Sequence, residues 1–306
     1  MTLQQLRQVL TIAESNSMNE AAKKLFVSQP NLSATVREVE EELGITVFMR
    51  NNRGITVTAE GEEFLGYAKQ VVEQYHLLEN RYLNVESKKK FSVSMQHYSF
   101  AVKAFVQLAK EVGMDEYEFA VHETKTKEVI DNVKNLKSEI GVLYLSDFNE
   151  KVLRKLFKEC DIEFKELFTC NTYVYLWKKH PLAGQKEITL DDLQEYPCLT
   201  FEQGVNNSFY YAEEMMSTYE YKRVIKADDR ATMLNLMVGL NGFTLCSGII
   251  SEDLNGDDYA AIPLKESEIM HIGYIKHKGT KLSKLGEIYI DAVSYTHLRA
   301  HETEAD

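Results

Sequence analysis

The chain has 306 residues, 44% of them hydrophobic and 27% charged, with a formal net charge of −12. That length accommodates two or three domains, each with its own core. No run of about eighteen apolar residues occurs, so no membrane-spanning helix and no membrane partner is expected. The first residues lack the basic start, apolar core and cleavage site of a secretory signal, which predicts a cytoplasmic protein. Cys160, Cys170, Cys198 and Cys246 are widely spaced and follow no metal-ligand pattern, so they read as free thiols with no metal or cofactor implied.

In chain order, residues 2–14 read as a first helix with Leu3, Leu6, Leu10 and Ala13 as its apolar stripe. A second begins near Asn19 as N-cap, with Ala21, Ala22 and Leu25 on one face. The paired alanines let another helix approach closely. Phe26 and Val27 make a corner, and Ser28 caps a third helix with Pro30 in its first turn, where a missing N–H costs nothing. Leu32, Val36, Val39 and Leu43 recur at spacings of four, three and four, and Gly44 ends the helix. The opposite face carries Gln29, Asn31, Ser33, Thr35 and Arg37, side chains able to reach base edges and phosphates. Two short helices, a tight turn and a polar outer face describe a helix-turn-helix. An ordinary helical hairpin with a solvated face has the same spacing.

The segment beyond favours the first reading. Ile45, Val47, Ile55 and Val57 flank the turn 51–54, forming a small β-hairpin wing with Arg50 and Arg53 near its tip. Residues 1–90 hold 11 basic and 12 acidic residues, a net of −1, so the acidity belongs to the remainder. Phosphate contact therefore rests on the placement of Arg37, Arg50 and Arg53.

Thr58 caps a long helix, with Glu60, Glu62 and Glu63 favourable to its N-terminal dipole. Phe64, Ala68, Val71, Tyr75, Leu78, Tyr82 and Val85 alternate at spacings of four and three, a heptad seam that predicts a partner helix and hence a dimer. After Lys88-Lys89-Lys90 the pattern alternates. Strand-like runs occupy 91–95, 117–123, 140–145, 167–177, 197–201, 223–227, 242–250, 259–264 and 270–277. Helical runs lie near 99–112, 126–137, 149–160, 189–196, 208–219, 230–240 and 281–292. This predicts an α/β region with mostly parallel sheets, divided into two lobes. Residues 293–306 are polar and aperiodic and read as a disordered or foreign tail, or a short surface helix.

Three stretches carry a family resemblance: LQQLR followed by VL, NEAAKKLFVSQPNLS, and VREVEEELGITVFMRNNRGITVTAEGEEFL. Together they resemble the DNA-binding domain of LysR-type transcriptional regulators. KKHPLAGQKEITLDDLQEYPCLTF resembles the start of that family's second lobe, and MVGLNGFTLC its close. The resemblance covers residues 1 to about 292. It implies an α+β multidomain chain: a winged helix-turn-helix over 1–58, a linker and dimerisation helix over 59–90, and a periplasmic-binding-protein-like effector domain over 91–292. The lobes of that domain would be 91–166 plus 268–292, and 167–267.

It further implies DNA contact from Ser28, Gln29, Pro30, Asn31, Ser33, Arg37, Arg50 and Arg53. The chain departs at Ala34 and Glu38, where family members often carry basic or amide residues, which predicts weaker phosphate contact. Effector contacts implied at strand ends are Gln96, His97, Tyr98, Ser99, Thr124, Lys125, Thr200, Phe201, Glu202 and Gln203. There helix N-termini favour a small anionic or zwitterionic molecule. The implied partners are double-stranded promoter DNA, that effector, a second copy or a tetramer, and RNA polymerase. The alternatives are a solute-binding protein or an enzyme using the lobe cleft. No nucleophile elbow, P-loop, dinucleotide-binding glycine pattern or paired-His metal motif supports the enzyme.

Overall fold

The structure, a computed structural model, describes residues 1–302 apart from 16, 52–53, 83–87, 114–115 and 207. Side chains at 50, 51, 54, 77, 80–82, 252–253 and 297–302 also lie outside the described set. The chain divides into two compact units, Met1–Ser87 and Lys88–Asp306.

In the first unit, α1 (Leu3–Ala13) opens on a capping box between Thr2 and Gln5. The cap of α2 (Met18–Lys24) is Ser17, not Asn19: its extended backbone lets the hydroxyl accept the Glu20 N–H, and Asn19 lies inside the helix. Ser28 caps α3 (Gln29–Leu43) by accepting the Asn31 N–H. Gly44, at φ 70°, closes α3 in the left-handed conformation that a Cβ would strain. Val9, Ile12, Ala21, Leu32, Val36 and Val39 form the shared core. The α1 stripe therefore differs from expectation. Val9 and Ile12 face α2 and α3, while Leu3, Leu6 and Leu10 face the long helix, so α1 is apolar on two sides.

β1 (Phe48–Asn51) and β2 (Gly54–Val57) pair antiparallel as the wing. Thr58 then caps α4 (Ala59–Tyr82), accepting the Gly61 N–H at 2.9 Å. A Cβ on Gly61 would stand 2.4 Å from the Val47 carbonyl, so the helix start fits against the wing only as glycine. Phe64 and Ala68 pack with Leu6 and Val72 against α1. Val71, Tyr75 and Leu78 are exposed, as is Tyr67. The heptad thus splits: its first two positions build this unit's own core and the next three face outward. The Tyr82 side chain lies outside the described residues.

In the second unit, the first lobe is a five-stranded sheet in the order β4-β3-β5-β12-β6. Its strands are β3 (Lys89–Met95), β4 (Tyr117–Glu123), β5 (Ile140–Leu145), β6 (Ile162–Cys170) and β12 (Met270–His277). Helices α5 (Ser99–Val112) and α10 (Lys284–Glu302) cover one face, and α6 (Thr126–Lys134) and α7 (Glu150–Glu159) the other. Every residue of β5 is buried: Ile140, Val142 and Tyr144 enter one core, and Leu143 and Leu145 the other. The chain leaves this lobe after β6 and returns on β12, which pairs antiparallel with both β5 and β6.

The second lobe holds β7 (Tyr173–Trp177) between β10 (Thr244–Cys246) and β11 (Tyr259–Pro263), all antiparallel, plus the parallel pair β8 (Cys198–Phe201) and β9 (Val224–Ala227). Helices α8 (Arg230–Leu240) and α9 (Glu252–Asn255) accompany them. The sheets are therefore mixed rather than mostly parallel, because the returning strand β12 and the meander around β7 reverse direction. The run 167–177 breaks at 171–172 into two strands belonging to different lobes. The expected helix at 208–219 is only a 3-10 turn, Phe209–Tyr211, and the one at 189–196 only Asp192–Glu195.

The last helix continues past 292. Val293 is fully buried beside Ala101, Ala104 and Tyr289, so the packing of α10 on α5 overrides the polar character of the sequence that follows. Residues 303–306 lie outside the described set. Val293→Asp should lower stability by roughly 3 kcal/mol or more, because it buries an unpaired charge. Tyr295→Asp, at an exposed position, should be near neutral in the same thermal denaturation. Equal, small effects would mean that the fold ends near 292.

Candidate functional site

Two surfaces carry the candidate chemistry. On α3, Pro30, Asn31 and Arg37 are exposed and Ser33 is half-buried. Gln29 Nε2 donates to Ser33 Oγ at 3.0 Å, which fixes both side chains on the outer face. The Ser28 hydroxyl is engaged as the cap. Arg53 and the side chain of Arg50 lie outside the described residues. Phe26, in the turn before α3, has φ 54° and is 97% exposed. Phe26 and Val27 form the corner between α2 and α3, and of the two Val27 packs inward.

The other surface is the cleft between the lobes. Gln96, at the end of β3, is buried and structural. Its Oε1 accepts the Tyr98 hydroxyl and the Tyr144 N–H, and its Nε2 donates to Thr126 Oγ1. His97 reaches across the cleft: its N–H and Nδ1 lie 2.9 and 2.7 Å from Glu213 Oε2, and its ring stacks on Phe201 at 3.6 Å. Gln203 Nε2 donates to Glu213 Oε1, while its Oε1 accepts the Thr126 N–H. Thr126 Oγ1 donates to the Tyr211 carbonyl. Lys125 pairs with Asp228 at 3.2 Å, Glu202 with Lys226 at 3.7 Å, and Thr124 Oγ1 with Glu128. Thr200 is half-buried on β8. Glu123 is held by Arg230.

A cavity of about 80 Å³ opens beside this seam. His97, Tyr98, Ser99 and Phe201 line it, while Gln96, Thr124, Lys125, Thr200, Glu202 and Gln203 lie outside its walls. Sequence reasoning missed Glu213, Glu214, Arg230 and Thr244, which also line it. A usable signal was present: two adjacent glutamates inside the apolar stretch FYYAEEMM. Cys246 lines the cavity too, but burial pushes its thiol up to about 12, so little thiolate exists near neutral pH.

Glu214 is the most perturbed carboxyl of the cleft. Burial, then the neighbouring Glu213, push it from its ordinary 4.5 to about 8, against an opposing N–H from Phe201. The folded chain therefore holds a proton here that the unfolded chain releases. The stability from this group is complete below pH 4.5 and is lost as pH rises through about 8. The melting temperature should fall between about pH 5 and about pH 9, and Glu214→Gln should remove most of that fall. An unchanged profile in Glu214→Gln would contradict the assignment.

Comparison with known proteins fits this architecture. The family description "Bacterial regulatory helix-turn-helix protein, lysR family" matches residues 3–62, and "LysR substrate binding domain" matches 96–294. The regulator CysL of Bacillus subtilis is 28% identical over 214 residues, 67% of this chain and 66% of that one. This chain thus aligns with just under two thirds of that relative. The fold resembles a full-length OxyR variant of Pseudomonas aeruginosa, with TM-score 0.71, 19% identity, and 96% and 94% of the two chains covered. It also resembles full-length CbnR complexed with its target DNA, with TM-score 0.59, 17% identity, and 97% and 100% covered. The helix-turn-helix, the two-lobed domain and both family matches agree: this chain belongs to the LysR-type transcriptional regulators, with a DNA-binding domain followed by a substrate-binding domain.

Proposed function

We propose that the chain regulates transcription in the bacterial cytoplasm by binding promoter DNA and responding to a small anionic or zwitterionic metabolite between its lobes. The observation that carries this reading is the combination of a polar outer face on α3 with a lined cavity between two lobes of a substrate-binding domain. DNA contact falls to Gln29, Asn31, Ser33 and Arg37 on α3, with Ser28 and Pro30 at its start and Arg50 and Arg53 on the wing. Effector contact falls to His97, Tyr98, Ser99 and Phe201 at the cavity. Gln96, Thr124, Lys125, Thr200, Glu202 and Gln203 support it from behind or at the rim.

The exposed Val71, Tyr75 and Leu78 of α4 form a row that suits a second copy of the chain, giving a homodimer or a homotetramer. Two α3 helices then address two half-sites. RNA polymerase is the further partner this role calls for.

Gel shift on the upstream intergenic DNA should show binding that weakens steeply with salt, as counterions are released. Arg37→Ala should cost about 1–3 kcal/mol and alter sequence preference if Arg37 reads a base. Unchanged binding in Arg37→Ala and in a Gln29/Asn31 double substitution would refute this DNA face. Sedimentation addresses assembly. Val71→Glu and Leu78→Glu bury charge in the proposed seam and should yield monomers, whereas an intact dimer in both would place the contact elsewhere.

A further inference from the structure

The reading above leaves the ligand as either an anion or a zwitterion, and the cavity walls discriminate between them. In the cavity lining, Ser99 opens the fourteen-residue helix α5 and Arg230 opens the eleven-residue helix α8. Helix N-termini and a guanidinium favour a carboxylate. Arg230 is already held in place by Glu123, its Nε 3.1 Å from Oε1. In the same lining, Thr244 is 7% exposed, and its buried hydroxyl has no hydrogen-bond partner among the described residues. A buried hydroxyl without a partner is uncommon and calls for one from a bound group.

The same lining also carries two acids. Glu213 and Glu214 are each 6% exposed and both line the cavity. Glu213 is fully engaged, by His97 on one oxygen and Gln203 on the other. Glu214 receives only backbone N–H groups, that of Phe201 at 2.8 Å among them. Its charge acts on Tyr98, Tyr144, Cys198 and Tyr221, and Glu213 acts on it in turn, all of them acids; the basic groups of the same lining, His97 and Arg230, are bonded to Glu213 and Glu123. A buried carboxyl surrounded by acids stays neutral until a cation arrives. Much of the remaining lining is apolar, with Phe100, Met233, Leu234, Ile249 and Met270.

Resting on the ligand-responsive reading above, we propose that the ligand is a compact amino acid with an apolar body, its carboxylate received by Ser99 and Arg230 and its ammonium by Glu214. A simple anion would use Ser99 and Arg230 and make no use of the Glu214 carboxyl. An amine would do the reverse. When the ammonium docks, Glu214 ionises and its proton passes to the solvent, so binding is coupled to proton release.

The test uses the full chain at about pH 7. L-alanine, L-valine, L-leucine, L-proline, L-methionine and L-phenylalanine are each compared by thermal shift with the acid lacking the amine and the amine lacking the carboxyl group. At least one amino acid should raise the melting temperature by several degrees while its two truncated analogues do not. Calorimetry of that amino acid in phosphate and in Tris should report close to one proton released per ligand. Glu214→Gln should abolish the release and weaken binding about tenfold or more. Thr244→Val should weaken binding severalfold and keep the release, so the proposal remains testable if the first variant folds poorly.

Stabilisation by the deaminated acids, or proton uptake on binding, would overturn the amino-acid class while leaving an effector between the lobes. No stabilisation by any member of the panel would overturn the proposal as well. The regulatory reading is judged separately by the gel shift.

Discussion

Everything at the cleft depends on one buried carboxylate. Glu213 sits in the second lobe, and its two oxygens are filled by His97 from the first lobe and Gln203 from its own. A buried charge is tolerated only when its hydrogen-bonding positions are occupied. That requirement fixes His97 against Phe201 and turns Gln203 toward the Thr126 N–H. Thr126 in turn joins Gln96 to the Tyr211 carbonyl. The chain of bonds crosses between lobes several times and sets where β3 ends and where α5 and α6 begin. The cavity walls are a by-product of this seam: once His97 and Gln203 are committed to Glu213, the neighbouring Glu214 faces the cavity without a counter-charge.

Much of this architecture was legible in the sequence, for reasons that are local. The strands 117–123, 140–145 and 270–277 and the helices 99–112 and 230–240 coincide with the observed elements. Helices α5 and α8 end at Gly113 and Asn241. Ser28 and Gly44 bound α3 because capping depends only on neighbouring residues. Where a reading differed, a tertiary contact had overruled the local pattern. The α4 heptad looked uniform, but Leu6 claims Phe64 and Ala68 for its own core. The polar stretch after Ala292 looked unstructured, but Val293 and Tyr289 lock it onto α5.

The cleft was legible only in part. His97, Tyr98, Ser99 and Phe201 stand where strands end, and that rule finds them from the sequence. Glu213, Glu214, Arg230 and Thr244 come from a loop, a helix start and a strand that lie more than a hundred residues from His97. Nothing periodic marks them. The stretch 208–219 even imitates a helix in its apolar spacing, yet it folds as a loop with a 3-10 turn at Phe209–Tyr211 and a further turn at 215–218, and its two successive glutamates are both buried.

If the Glu213 seam organises the cleft, His97 and Glu213 must be energetically coupled across the lobes. A double-mutant cycle measures this directly, with His97→Ala, Glu213→Gln and the double variant compared by denaturant unfolding of the full chain. The seam predicts a coupling energy of about 1–3 kcal/mol. Effects that add to within about 0.5 kcal/mol would show that the two residues are neighbours without being partners, and would contradict the account.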